Sequence, residues 1–79
     1  MEHYVVILDW ATNDAESVEI LGVCHTFEEA EELYKTHLDY ERKLAEERGY
    51  KVDEDFSSFE AYEEGYYMAE HTHLYIQGV

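Results

Sequence analysis

Two histidines stand two residues apart near the end of the chain, in the segment EHTHLY (residues 70–75). On a β-strand this spacing points the imidazoles of His71 and His73 to the same side. A third ligand from a neighbouring strand, for which His3 is the best placed, would allow the pair to hold zinc. Structural zinc usually has four ligands, however, and often includes cysteine. We therefore predict no bound metal or other cofactor, and interpret the two histidines as part of a polar contact surface.

No other group of side chains forms a catalytic motif. His37 and Glu41 lie four residues apart on a predicted helix, a spacing that suits proton transfer. Without a nucleophile or a cleft, we interpret them as a polar pair at the edge of a packed face. Cys24 and His25 are neighbours on a predicted strand, so their side chains point to opposite faces. The sequence predicts a protein that is not an enzyme.

The chain has 79 residues, which suits one domain (residues 1–79) that buries about 60–65% of the surface of its unfolded form. Hydrophobic residues make up 46% of it, including eight Tyr, three Phe and one Trp, so it can form a core. A single cysteine excludes an internal disulfide and fits a reducing compartment. The sequence has neither the pattern of a signal peptide nor an apolar run of about 18 residues. We predict a cytoplasmic protein without membrane contact.

The first part of the chain predicts a β-hairpin. Residues 3–10 are apolar on both faces, as in a central strand. Residues 17–25 predict a second strand, in which Val18, Ile20 and Cys24 share one face with Gly22.

A long helix follows. Thr26 and Glu29 have the spacing of a capping box, and an apolar stripe at helical spacing continues from Phe27 to Ala45. Gly49 is placed to end the helix.

The remainder predicts a short second helix and a third strand. Residues 57–60 form another capping box that opens a helix through about Glu64, and Gly65 ends it. The third strand covers residues 66–77, with Leu74 and Ile76 on one face and His71, His73 and Tyr75 on the other. The predicted fold is α+β, with the element order β-β-α-α-β and a three-stranded antiparallel sheet in the strand order 2-1-3. The long helix covers one face of this sheet.

The other face of the sheet lacks a cover in this arrangement. Either Val5 and Ile7, or Val6 and Leu8, remain exposed unless the short helix folds beneath them. An uncovered apolar face is typical of self-association or partner binding. A homodimer through the sheet face is therefore one expectation.

The charges are strongly segregated along the chain. Twenty acidic and five basic residues give a net charge of −15. All Lys and Arg residues lie between Lys35 and Lys51, a window that also contains four acids, so the other sixteen acids lie where there is no Lys or Arg. Acidity of this size can serve solubility alone, but solubility usually needs a smaller and better mixed charge.

The charge pattern favours binding to a basic protein surface. Nucleic-acid-binding proteins present Lys and Arg to regularly spaced phosphates. A compact acidic α/β chain of this size resembles the small phage proteins that block restriction enzymes or CRISPR effectors by imitating nucleic acid. The implied partner is the basic surface of a nuclease or CRISPR effector, with no direct binding of nucleic acid. The predicted contact acids are Glu28, Glu31, Glu32, Asp53, Glu54, Asp55, Glu60, Glu63 and Glu64. The aromatic candidates are Tyr50, Phe56, Tyr62, Tyr66 and Tyr67.

Two alternatives remain open on the sequence. One is a small homodimeric accessory domain whose acidity serves solubility. The other is a metal-binding protein that uses His71, His73 and His3.

Overall fold

Five antiparallel strands form one sheet, and a long helix crosses one of its faces. The computed structural model describes residues 3–63 and 70–79. The order of the strands in the sheet is β2-β1-β5-β4-β3. In chain order the elements are β1 (Tyr4–Ala11), β2 (Glu16–Cys24), α1 (Phe27–Arg48), β3 (Lys51–Glu54), β4 (Ser58–Tyr62) and β5 (His71–Gly78).

The α+β class, the antiparallel pairing and the position of β1 between β2 and the last strand of the chain are confirmed. Strand β1 pairs with β2 on one side and with β5 on the other, which is the arrangement predicted as 2-1-3. The predicted number of strands is wrong, because β3 and β4 extend the sheet beyond β5.

Local signals place the helix where the sequence predicted it. The hydroxyl oxygen of Thr26 accepts a hydrogen bond from the backbone N–H of Glu29 at 3.2 Å, as expected of an N-cap. Gly49 ends the helix in the left-handed region, at φ 68°, where a residue without a Cβ is favoured. Ala30, Tyr34 and Leu38 follow one another at four-residue spacing and are buried against the sheet.

The predicted second helix is wrong, because residues 58–62 form strand β4. Their burial alternates, with Phe59 and Ala61 buried and Glu60 and Tyr62 exposed, which is the period of a strand. In this register Phe59 lies opposite Leu74 of β5, and both side chains are completely buried. The hydrophobic pattern of residues 58–62 is too short to distinguish a helix from a strand. Burial of Phe59 against Leu74 and α1 selects the strand.

Asp53 and Glu54 belong to β3, although acidic residues are depleted in strands. Asp53 and Glu54 pair with Glu60 and Phe59 of β4, although every residue of β3 is exposed. The strand forms at the edge of the sheet because β4 offers it a hydrogen-bonding partner. A turn follows, in which Asp55 N–H donates to the carbonyl of Ser58 at 2.8 Å.

A β-bulge in β2 reverses the predicted faces of that strand. Val6 pairs with Gly22 and Ile7 with Ile20, so Leu21 has no partner on β1. Because Leu21 is one extra residue, the alternation of side chains shifts by one position there. The residues before Leu21 therefore lie on the opposite faces to those that simple alternation from Gly22 would give them. The prediction that Val18 and Ile20 share a face with Gly22 and Cys24 is therefore wrong.

The exchanged side chains have clear environments. Val18 and Ile20 are exposed on the face away from α1, with 65% and 68% of their surface accessible. Glu19 lies instead on the helix side, where it accepts a hydrogen bond from Trp10 Nε1 at 2.7 Å. Gly22 faces the helix so closely that a Cβ would lie 2.5 Å from Leu33 Cδ2.

The core lies between α1 and the central strands. Its largest completely enclosed side chains are those of Val6, Tyr34, Phe59 and Leu74. Within the described part of the chain, no helix combines the length and apolar character that a membrane crossing requires.

Candidate partner-binding surface

The face of the sheet away from α1, here called the open face, carries a row of ionisable side chains. Asp53 of β3 lies opposite Glu60 of β4, Glu60 opposite His73 of β5, and His73 opposite Asp9 of β1. Neighbouring strands lie about 4.8 Å apart, so the four side chains form a nearly straight line across the sheet. We call this set (Asp53, Glu60, His73 and Asp9) the acidic row.

The two histidines of the opening motif both lie on this face. His71 Nε2 is 3.8 Å from Asp9 Oδ1, and His73 Nε2 is 3.1 Å from the hydroxyl of Ser58. The ring of His73 also stacks at a tilt on Tyr75, with the ring centroids 4.5 Å apart. The predicted common face of His71, His73 and Tyr75 is thus confirmed.

His3 does not join this pair. The antiparallel register places His3 opposite Val79, at the other end of β5, and its ring lies 5.2 Å from that of His25. Six residues separate His3 from Asp9 along β1, which corresponds to about 20 Å. Among residues 3–63 and 70–79, no three His, Cys, Asp or Glu side chains come close enough together to hold a metal ion.

The β3–β4 hairpin gathers four of the predicted contact acids. Asp53, Glu54, Asp55 and Glu60 surround one small concavity beside Ser58. Their roles differ. Glu54 accepts a bidentate interaction from the guanidinium of Arg42, and Asp55 Oδ1 accepts from the backbone N–H of Ser57 at 3.0 Å. Asp53 and Glu60 remain on the open face.

The start of α1 brings the other predicted acids beside this hairpin. The rings of Phe27 and Phe56 lie 6.4 Å apart, which joins the first turn of the helix to the hairpin turn. Glu31 lines a groove with Glu54, Asp55 and Phe56, and its carboxylate is 3.6 Å from the ammonium group of Lys35. Glu28 and Glu32 are exposed on the same part of the helix.

The remaining predicted contact residues lie elsewhere. Tyr62 is on the open face, opposite His71. Tyr50 and Glu63 line a concavity at the opposite end of the sheet, where the hydroxyl of Tyr50 donates to the carboxylate of Glu70 and Arg48 lies over the Tyr50 ring. Glu64, Tyr66 and Tyr67 lie outside the described residues.

Sequence reasoning missed Asp9. A carboxylate within a strand that is otherwise apolar on both faces was a signal, because acidic residues are depleted in strands. Its position beside His71 and His73 follows only from the register of β1 with β5.

The groups near Arg42 also perturb one buried phenol. Burial, followed by the charges of Glu54 and Asp55, raises the pKa of Tyr34 to about 12, although Arg42 acts in the opposite direction. The hydroxyl oxygen of Tyr34 is buried and has no hydrogen-bond partner. It thus incurs the desolvation cost of a buried polar group without the compensating bond.

Replacing Tyr34 with phenylalanine is therefore expected to stabilise the fold by ~1 kcal/mol at neutral pH. The folded state holds the Tyr34 proton more tightly than the unfolded state, so this group's contribution is complete below pH ~10 and is lost as the pH rises towards 12. Urea midpoints at pH 7, 10 and 11.5 measure both effects. The variant Tyr40→Phe, at an exposed position, serves as control. An alkaline loss of stability that is as steep in Tyr34→Phe as in the natural chain would contradict this account.

Comparison with protein-family models, with curated proteins and with solved structures finds no match to this chain. Any functional conclusion therefore depends on the surface itself. That surface offers closely spaced carboxylates to a cationic partner along the acidic row and around the hairpin turn.

Proposed function

We propose that this chain is a non-enzymatic binding domain that occupies the basic nucleic-acid-binding surface of a larger protein, such as a nuclease or a CRISPR effector. It acts there as a competitor of DNA or RNA, in the manner of small acidic phage inhibitors, and binds no nucleic acid directly. The site of action is the cytoplasm.

The observation that carries the proposal is the pairing of Asp53 with Glu60. Two like charges directly opposite each other on neighbouring strands are destabilising. A mixed pair, or two neutral residues, would hold the same hairpin better. A basic partner that lies across the acidic row relieves this repulsion. The repulsion that destabilises the free chain is then absent from the complex, which makes the free energy of binding more favourable.

The distribution of the basic residues supports the same conclusion. Arg42 is engaged with Glu54 and Asp39, and Lys35 with Glu31, all on the helix side of the sheet. On the open face, Glu60 lies between Asp53 and His73, Asp9 lies beyond His73, and Lys51 lies outside this row, opposite Tyr62. Complementary charge of this kind increases the rate of encounter and selects a basic partner.

A salt-gradient pull-down tests the proposal. The tagged chain is loaded at low salt with bacterial lysate that has been treated with nuclease, and retained proteins are eluted by increasing salt and identified by mass spectrometry. We expect a nucleic-acid-binding protein that elutes steeply with salt and is also displaced by added DNA or RNA.

A resin that carries poly-glutamate at equal charge density controls for simple ion exchange. Retention of the same proteins on both resins would contradict the proposal. So would a partner whose binding is insensitive to salt and to nucleic acid.

A further inference from the structure

The open face has a second region, which is free of charged residues. Beyond the acidic row towards the far end of β5, the paired positions are Ser58, Tyr75, Ile7 and Ile20, followed by Gln77, Val5 and Val23. None of these side chains is charged, although 32% of the whole chain is. We call Val5, Ile7, Val18, Ile20, Val23 and Tyr75 the apolar patch.

The apolar patch is open to water. Val18, Ile20 and Val23 expose 65%, 68% and 61% of their surface, and no described element lies over them. The predicted second helix would have been the natural cover, but that segment is strand β4. Strand β1 has a neighbouring strand on each side, yet among residues 3–63 and 70–79 only its helix side is covered.

We propose that the apolar patch is a homodimer interface, in which the open faces of two copies pack against each other. Two chains that each carry −15 can approach closely only through a neutral surface. The apolar patch is such a surface. A basic partner would find no carboxylate to bind within the patch, so a second copy of this chain suits it better.

The polar groups at the two ends of the patch are self-complementary, since imidazole N–H donors lie at one end and carboxylate acceptors at the other. His3 and His25 lie at the end of the patch opposite to the acidic row, since His3 is two positions before Val5 and His25 two positions after Val23. A twofold axis can lie between the two sheets, parallel to their planes and perpendicular to their strands. It then brings the two apolar patches together, with the strands of the two copies running in opposite directions. It sets the His3–His25 pair of one copy over Asp9, the member of the acidic row on β1, of the other copy, and places the two acidic rows at opposite ends.

The available area is sufficient. The five strands contain 34 residues in total, which at about 3.3 Å per residue and a spacing of about 4.8 Å give a flat area of ~540 Å². A specific interface buries ~800 Å² of accessible surface on each partner. The accessible surface of a face with projecting side chains exceeds its flat area, so an interface of this size takes up the whole open face, with the apolar patch and the acidic row together. Two sheets packed in this way form a sandwich with a shared core ~10 Å thick.

Sedimentation equilibrium over a range of protein and salt concentrations tests the dimer. We expect the mass to rise from 9.4 kDa to twice that value with concentration, and to rise more readily at high salt, because salt screens the repulsion between the acidic copies. The dimer covers the acidic row, so it and the basic-partner complex are alternative states of the chain. Their opposite salt dependences allow the dimer and the proposed function to fail independently.

The double variant Ile20→Glu, Val23→Glu is expected to remain monomeric under all these conditions. Both positions are largely exposed, so the variant should fold, and circular dichroism melting checks that it does. Tyr40→Glu is the matched control, because Tyr40 is 62% exposed on α1, outside the patch, and its replacement should leave the dimer intact. A chain that stays at 9.4 kDa at 0.5 mM protein in 0.5 M salt would overturn the proposal. A dimer that persists in the double variant would overturn it as well.

Discussion

Replacing Phe59 with alanine is expected to destabilise the fold by ~3–5 kcal/mol, which is most of the stability of a chain this small. Phe59 is completely buried, and it lies opposite the equally buried Leu74 beneath α1. Removing the ring leaves a cavity in the layer between β4 and α1. Urea denaturation followed by Trp10 fluorescence measures the loss, and Phe59→Leu is expected to lose only ~1 kcal/mol.

Phe56 provides a matched control three residues earlier. Its ring is 75% exposed and contacts Phe27 at the hairpin turn. Phe56→Ala should therefore cost less than ~1 kcal/mol. Equal losses for the two alanine variants would show that the burial assigned to β4 is incorrect.

The second large effect concerns binding. Reversing two charges of the acidic row, with Asp53→Lys and Glu60→Lys, is expected to weaken the complex with the basic partner by about 100-fold, at about tenfold for each contact charge. The measurement is isothermal titration of the partner recovered by pull-down, at two salt concentrations. The reversed variant should also show a smaller salt dependence.

A control with equal change in net charge separates local contact from overall charge. Glu46→Lys with Glu47→Lys also changes the net charge from −15 to −11, at exposed positions near the end of α1. We expect this control to bind within a few-fold of the natural chain. If the two variants weaken binding equally, the acidity acts only through the total charge. The neutral pair Asp53→Asn, Glu60→Gln should make the fold slightly more stable, by a few tenths of a kcal/mol, while it weakens binding.

The parts of the fold that the sequence could predict depend on local signals. Thr26, the apolar stripe of α1 and Gly49 act within one or two helical turns, and each has the role that its residue type indicates. The position of β1 between two other strands was also predictable, because Val5 to Leu8 are apolar on both faces of the strand. The residues that carry each of these signals lie within a single helix or strand.

The predictions of secondary structure are wrong where contacts with another element determine the conformation of a short segment. Residues 57–60 satisfy the spacing of a helix cap, but the burial of Phe59 and Ala61 against the helix and β5 selects a strand. Residues 51–54 have little strand propensity, and they pair only because β4 lies beside them. A short segment cannot reveal these partners.

The candidate site was predictable in composition but not in arrangement. The sequence predicted Asp53 and Glu60 as contact acids and His73 on a polar face. It could not show that these three residues and Asp9 align across four strands, because the hairpin of β3 and β4 was not predicted and because β1 pairs with β5 from the far end of the chain. Predicting His3 as a partner of His71 failed for the same reason.

The bulge at Leu21 decides which side chains of β2 face α1 and which lie on the open face. The one extra residue, rather than the polarity of the side chains, sets this alternation. A regular ladder that included Leu21 would turn Val18 and Ile20 towards α1 and Glu19 towards the open face. Deletion of Leu21 would instead remove the bulge and leave Val18 and Ile20 on the open face, because Ile20 would then directly precede Gly22, which faces α1. Relatives of this chain that lack one residue between Ile20 and Gly22 should therefore keep the same apolar patch without a bulge.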